Sequence, residues 1–430
     1  MVLGKDSEAS APLDLEATEM AIRTSMHTVG GVFLEKLIDR DRGHRGPRIP
    51  CGGGHEAKFV DYRSKEMATV LATIQVHRAY YYCHSCKSGM APKDFDLDIV
   101  STSFSPGLRR LMARVGSKEA FDEGRRDLEE LAGVFVTTKA VERVSECVGA
   151  EIEQVAQRER RAVQSGKIVP IKPVPWMYVE MDGTGVPMVP RETEGRQGKD
   201  ETGRAKTREL KLGAVFTQTG VDEEGRPVRD PGSTTYVGAI EAAEEFGHRI
   251  FTETVRRGSR CANQIVVLGD GAAWIWNLAA LHFPAAIEIV DLYHAREHLV
   301  ELAKAVFEPG STEEKQWSEE RIKELDDGDV DAVVNAMECL RPRTDISSGQ
   351  VRKDIGYFRT NAHRMRYRHF RTLGLFVGSG VIEAGCKTIA GSRLKQSGMQ
   401  WTVRGANAII ALRCCAVSGR WEQYWERRAA

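Results

Sequence analysis

A chain of 430 residues is long enough for two to four domains. Its 41% hydrophobic content is ample for packed cores, its 28% charged content is that of a soluble protein, and no apolar run reaches the about 18 residues that a membrane span requires. Lysine plus arginine and aspartate plus glutamate balance at 61 each, so net charge alone assigns no polyanionic partner.

In chain order, residues 13–40 have apolar positions three and four apart and predict a helix, weakened in the middle by Gly30 and Gly31. The acidic start lacks an apolar signal core, which predicts a cytoplasmic protein. Residues 42–59 read as a loop, and 67–86 as one or two strands running into a cysteine knuckle. From 105 to 161 the pattern is helical, with a turn at Gly133 and Thr137 or Thr138 as the next N-cap. Three strands follow: "WMYVEMDG", "KLGAVFTQTGV" and "TTYVGAI". Then come a helix, the strand "QIVVLGDG", a helix and the strand "AIEIVDLYHA". A meander followed by helix–strand units predicts a mixed α/β sheet. Residues 296–375 look like a charged helical insertion, and two further helices close the chain. The glycine-rich charged stretch 191–210 reads as a flexible loop.

Two acids, Asp182 and Asp270, each end an apolar strand and precede a glycine. Strand ends of open α/β sheets are where sites are built, although Asp-Gly is also ordinary turn chemistry. Glu383 can join them from a helix. Three carboxylates in one place repel unless cations neutralise them, and Mg²⁺ suits such hard oxygen ligands. Nine cysteines, an odd number unevenly spread, fit a reducing compartment. Among them "CGGGH" and "CHSC" offer Cys51, His55, Cys83 and Cys86, a thiolate–imidazole set suited to tetrahedral Zn²⁺, with His84 the competing ligand.

"YVEMDGTGV", "VVLGDGAAWIWNLAALHFPAAIEIVDLYHAREHL" and "GSGVIEAGCKTIAGSRLKQSGMQWT" resemble bacterial insertion-sequence transposases of the DDE class, the ISKra-type group. The resemblance runs from about residue 46 to the end, and "DLYH" matches the C/D-x-x-H motif of Mutator-like relatives, with Asp291 and His294 as accessory residues. It implies an RNase H-like core with a helical insertion, a catalytic triad of Asp182, Asp270 and Glu383, and two Mg²⁺ or Mn²⁺ ions. It further implies cleavage and strand transfer on double-stranded DNA, at terminal inverted repeats and at a target, by a homo-oligomer on DNA. The alternatives are a domesticated or inactive transposase that only binds DNA, and another nuclease on the same fold. The implied organisation is an N-terminal helical segment (1–45), a zinc-ribbon-like module (46–100), a helix-turn-helix-like region (101–165), a first core part (166–295), the insertion (296–375) and a second core part (376–430).

Candidate DNA contacts come from local charge. Between Arg341 and Arg413 fourteen basic residues face three acids. The tract "GYFRTNAHRMRYRHFR" adds aromatics for base stacking to Arg364, Arg366 and Arg368. Lys139 and Arg143 start the second helix of the helix–turn–helix candidate. Lys387, Arg393 and Lys395 follow Glu383, and Lys387, four residues on, can instead pair with it. Trp274, Trp276 and Trp401 read as core. Neither phosphate-binding glycine motif is present, so no nucleotide cofactor is expected.

Overall fold

The computed structural model describes residues 13–166, 174–198, 203–341 and 344–429. The chain forms two compact units, Met1–Val148 and Gly149–Ala430.

The first unit opens with α1 (Leu15–Ile38), capped by the Asp14 carboxylate, which accepts the Ala17 N–H at 3.0 Å. Gly30 and Gly31 do not break it. A Cβ on Gly31 would stand 2.6 Å from the Ala72 Cβ, so the glycine pair lets a β-turn approach the helix closely. The other side of α1 carries Ile22, Met26, Val29, Phe33 and Leu37, all about half exposed or more. An antiparallel sheet follows in the order β1 (Arg48–Pro50), β2 (Glu56–Ala68), β3 (Thr73–Cys83), β4 (Ser88–Met90). The expected loop over 42–59 thus contains β1 and the start of β2. After α2 (Pro92–Asp96), three helices complete the helical region: α3 (Pro106–Lys118), α4 (Phe121–Ala132) and α5 (Thr138–Gln164). Gly133, at φ 66°, ends α4 in the left-handed conformation. Thr137 is the N-cap of α5, its hydroxyl accepting the Ala140 N–H at 3.1 Å.

The second unit is built on β5 (Trp176–Pro187), β6 (Thr207–Gln218) and β9 (Thr235–Ala239), an antiparallel meander. A small hairpin of β7 (Gly220–Val221) and β8 (Pro227–Val228) interrupts it. Then α6 (Ala243–Arg256) leads to β10 (Gln264–Gly269), and α7 (Ala273–His282) to β11 (Ile287–Val290). β10 runs parallel to β5 and β11 parallel to β10, giving the order β11-β10-β5-β6-β9, the mixed sheet read from the strand pattern.

Five helices follow β11: α8 (Leu292–Val306), α9 (Thr312–Asp327), α10 (Val330–Glu338), α11 (Asp345–Asn361) and α12 (Tyr367–Thr372). Their Leu299, Leu325, Met337 and Phe358 share one core with Val179, Met181, Val266 and Leu268 of the sheet, so this helical block is welded to it. The chain closes with α13 (Gly380–Gly385), a π-helical turn (Cys386–Gly391), α14 (Ser392–Leu394), α15 (Val403–Val417) and α16 (Trp421–Ala429). Arg249 on α6, its side chain 9% exposed, holds Glu153 of α5 and Glu241, each at 2.7 Å.

Candidate active site and metal centre

Side chains alternate along a strand, so Glu180, Asp182 and Thr184 share one face of β5. Asp182 does not end its strand, as the sequence led us to expect. β5 continues through the glycines to Pro187, paired with β6 as far as Thr207. Asp270 does follow the last residue of β10. Leu268 pairs with Glu180, so two residues further on Asp270 comes level with Asp182 on the neighbouring strand. Its carboxylate accepts the Ala272 N–H at 2.9 Å, turning the chain into α7. Its carbonyl accepts the Tyr357 hydroxyl at 3.1 Å. A Cβ on Gly271, at φ 98°, would meet Tyr357 at 2.5 Å.

Glu383 stands exposed on α13, between two ties to β5. The Ile382 N–H donates to Glu180 Oε2 at 2.7 Å, and the Cys386 thiol donates to Asp182 Oδ2 at 3.3 Å. The second tie is made where the helix widens into its π turn, a distortion common at functional sites. Burial raises the pKa of Asp182, and the Asp270 charge adds to it. The Cys386 thiol, the Gly183 N–H and His294 oppose the rise. Burial, and then Asp182, push the Cys386 thiol up in turn.

The three acids therefore gather about the middle of β5, Asp182 and Asp270 through strand register and Glu383 through the ties of α13. They do not close on a point. Among the described residues, the one set of three or more Cys, His, Asp or Glu ligand atoms lying within 4.8 Å of one another is Cys51, His55, Cys83 and Cys86. The acid site still fits a hard divalent ion in chemistry, because it offers carboxylate oxygens from Asp182, Asp270 and Glu383.

Glu180 is the residue that sequence reasoning passed over. It is 0% exposed, its Oε1 has no hydrogen-bond partner, and its pKa is pushed up to about 8. Burial dominates, the Ile382 N–H and Arg229 oppose it, and Asp291 and Glu383 add to it. The signal was its spacing of two from Asp182.

Asp291 N-caps α8, accepting the His294 N–H at 2.6 Å, and its second oxygen accepts the Ser379 N–H. Its own N–H donates to the Gly269 carbonyl at 2.8 Å. Asp291 thus joins the end of β10 to the approach of α13 and is a positioning residue. His294 lies edge-on to His298 at 5.0 Å, and His298 stacks on Tyr357 at 4.2 Å. His298 Nδ1 is 2.9 Å from the buried Asp354 carboxylate, which also accepts from Gln350 at 2.8 Å. Residues of the helical block therefore support the Asp270 turn.

The thiolate–imidazole set lies in two turns, β1–β2 and β3–β4. Cys51 Sγ is 3.6 Å from Cys83 Sγ and 3.5 Å from Cys86 Sγ, and His55 Nδ1 is 3.3 Å from Cys86 Sγ. A tetrahedron of Zn–S bonds has edges of about 3.8 Å, so the four residues need little movement to hold Zn²⁺. Burial raises the Cys51 thiol, but the Gly53 N–H and the Cys86 and Cys83 groups outweigh it and bring it to about 7. A Cβ on Gly53 would stand 2.6 Å from Cys86 Sγ, which explains a glycine inside this knuckle. His84 instead packs on Tyr82 at 5.0 Å and is outside the set.

The basic candidates divide. Arg143, Arg366, Arg368 and Lys387 are exposed, and Lys387 forms no ion pair with Glu383. Lys139 is paired with Glu142 at 2.6 Å. Lys395 donates to Thr184 Oγ1 at 2.5 Å, beside the acid face. Arg364 and Arg393 are corrections to a surface role. Arg364 pairs with Glu288 at 2.6 Å over the Trp276 ring, and Arg393 is 0% exposed against the Trp401 ring. Phe358, Tyr367 and Phe370 of the basic tract are buried, so these aromatics serve the core instead of stacking on bases. Trp276 and Trp401 are core, as read.

These features define a mixed α/β protein with carboxylates gathered about β5 and a Cys/His set that could hold a metal ion. The chain belongs to the Uncharacterised protein family (UPF0236), which it matches over residues 54–428. No curated protein matches it. Among solved structures it is similar to the "Drosophila P element transposase strand transfer complex" at 8% identity, covering 79% of this chain and 84% of that one, with a TM-score of 0.24, too low to establish a common fold. No described helix is long and apolar enough to cross a membrane.

Proposed function

We propose that this protein is a DDE-type DNA transposase that cleaves DNA at the ends of a mobile element and joins them to a target. The carrying observation is that Asp270, just past the end of β10, follows a register that brings it level with Asp182 on the adjacent parallel strand, with the helix bearing Glu383 fastened to that strand. The order β11-β10-β5-β6-β9, a meander followed by two parallel strands, is the arrangement expected of an RNase H-like core.

Asp182, Asp270 and Glu383 would hold Mg²⁺ or Mn²⁺ through hard carboxylate oxygens, and two such ions would supply activation of an attacking oxygen and stabilisation of a leaving one. The remaining work falls to the chain. Glu180, neutral below about pH 8, holds α13 against β5 without adding a charge to the acid face. Asp291 and Tyr357 fix the Asp270 turn, and Lys395 and Lys387 place cations where a scissile phosphate approaches. Water adds to phosphorus and the bond to the 3′ oxygen breaks. The freed 3′-hydroxyl then attacks a target phosphodiester and displaces its 3′ oxygen. The Cys51–His55–Cys83–Cys86 site would hold Zn²⁺ as a structural brace of a DNA-reading module.

Self-association is assigned to α1. Ile22, Met26, Val29 and Phe33 repeat at four, three and four, the spacing of a coiled-coil seam.

The test is cleavage and joining of duplexes that carry the ends of the DNA segment encoding the protein, with Mg²⁺. Asp182→Asn and Glu383→Gln should abolish both steps while end binding persists. Mg²⁺-dependent cleavage surviving in either variant removes that residue from the mechanism.

A further inference from the structure

The long β5–β6 hairpin and the segment after α14 enclose a cleft that none of the assigned residues but Lys395 touches. Trp401 pins one wall: its N–H donates to the Pro187 carbonyl at 3.1 Å and its carbonyl accepts the Val189 N–H at 2.9 Å. The hairpin closes on itself through Met188 N–H to Lys206 carbonyl at 3.0 Å and Ala205 N–H to Arg196 carbonyl at 3.2 Å. Between these walls is an open cleft of about 1620 Å³.

Its charge is one-sided. Among the described residues Arg191, Arg196, Arg204 and Lys395 line it with one acid, Glu194. Arg191, Arg196 and Arg204 are exposed, and no carboxylate pairs with any of them among the described residues. Unpaired arginines converging on one concavity repel one another and focus a positive potential, which a polyanion relieves. The cleft exceeds the roughly 300–1,000 Å³ of a small-molecule site, so it suits a length of polymer. Among the described residues no Phe, Tyr, Trp or His lines it, which leaves no aromatic ring to stack on a base. One end leads to the acids: Lys395 reaches Thr184, two residues along β5 from Asp182.

We propose that this cleft binds the sugar–phosphate backbone of DNA, independently of sequence, and guides it past Lys395 to the acid face. The inference rests on the DNA-processing reading above, but its test does not require cleavage. Full-length protein and Arg191→Ala/Arg196→Ala/Arg204→Ala are titrated with labelled duplexes of two unrelated sequences between 50 and 200 mM salt. Each lost phosphate contact should reduce the slope of log affinity against log salt by about 0.9, so the triple variant should lose about 2.7. Affinity at 100 mM salt should fall at least about tenfold, equally for both sequences. An unchanged slope in the triple variant overturns the proposal. So does displacement of DNA by polyglutamate at equal charge, since that points to an acidic protein as the occupant. If neither protein cleaves DNA but the slopes differ as stated, the cleft assignment stands and the transposase reading falls.

Discussion

Replacing Glu180 by Gln separates a buried neutral acid from a buried charge. In the folded protein the Glu180 pKa is about 8, against an ordinary 4.5. A group whose folded pKa is raised stabilises most at low pH, and that stability is lost as pH rises through the folded value. Between pH 5 and 8 the unfolded chain releases a proton that the folded chain keeps, so wild-type stability should fall by roughly 3 kcal/mol from this group alone, at 1.36 kcal/mol per pKa unit. Glutamine keeps an oxygen for the Ile382 N–H and cannot ionise. Glu180→Gln should therefore gain roughly 3 kcal/mol on the wild type between pH 5 and 8, other titrating groups being common to both. Urea unfolding at several pH values measures this directly. Parallel stability curves for the two proteins would refute a neutral Glu180 and, with it, the idea that β5 carries one fewer charge than its sequence implies.

Other outcomes are expected elsewhere. The protein should carry one Zn²⁺ per chain, and Cys83→Ser should lose both the metal and the β1–β4 sheet, read by metal analysis and circular dichroism. Arg249→Met should cost about 3–5 kcal/mol in urea unfolding, because it strands Glu241 and leaves Glu153 with Arg160 alone; a loss below about 1 kcal/mol would show that water reaches them. Tyr357→Phe should remove about 1 kcal/mol of support from the Asp270 turn, slowing cleavage with DNA affinity unchanged. Phe33→Glu should convert a self-associating protein to a monomer in sedimentation; an unchanged mass would remove α1 from self-association.

The sequence made much of this site legible because strand ends, Asp-Gly pairs and C-x-x-C knuckles are local. The mixed sheet could likewise be read from the order of its strands. What escaped was set by packing between distant segments. β2, "EAKFVDYRSKEMA", alternates poorly because much of it is exposed on both faces, so its pairing with β3 left little trace in composition. The glycines after Asp182 look like a turn, yet their strand continues because β6 pairs with it through residue 207. Arg364 and Arg393 read as surface charge until Trp276 and Trp401 are found beneath them. Glu180 looks like an outward strand residue until α13, some 200 positions later, is laid across it.

One strand, finally, acts as a graded medium. Along a single face of β5, in steps of about 7 Å, stand Glu180 in a dry interior, Asp182 half-buried and Thr184 at the wet margin beside a lysine. The ties of α13 at Ile382 and Cys386 each meet this face at one acid, so the seating of a single helix fixes the surroundings of both carboxyl groups at once.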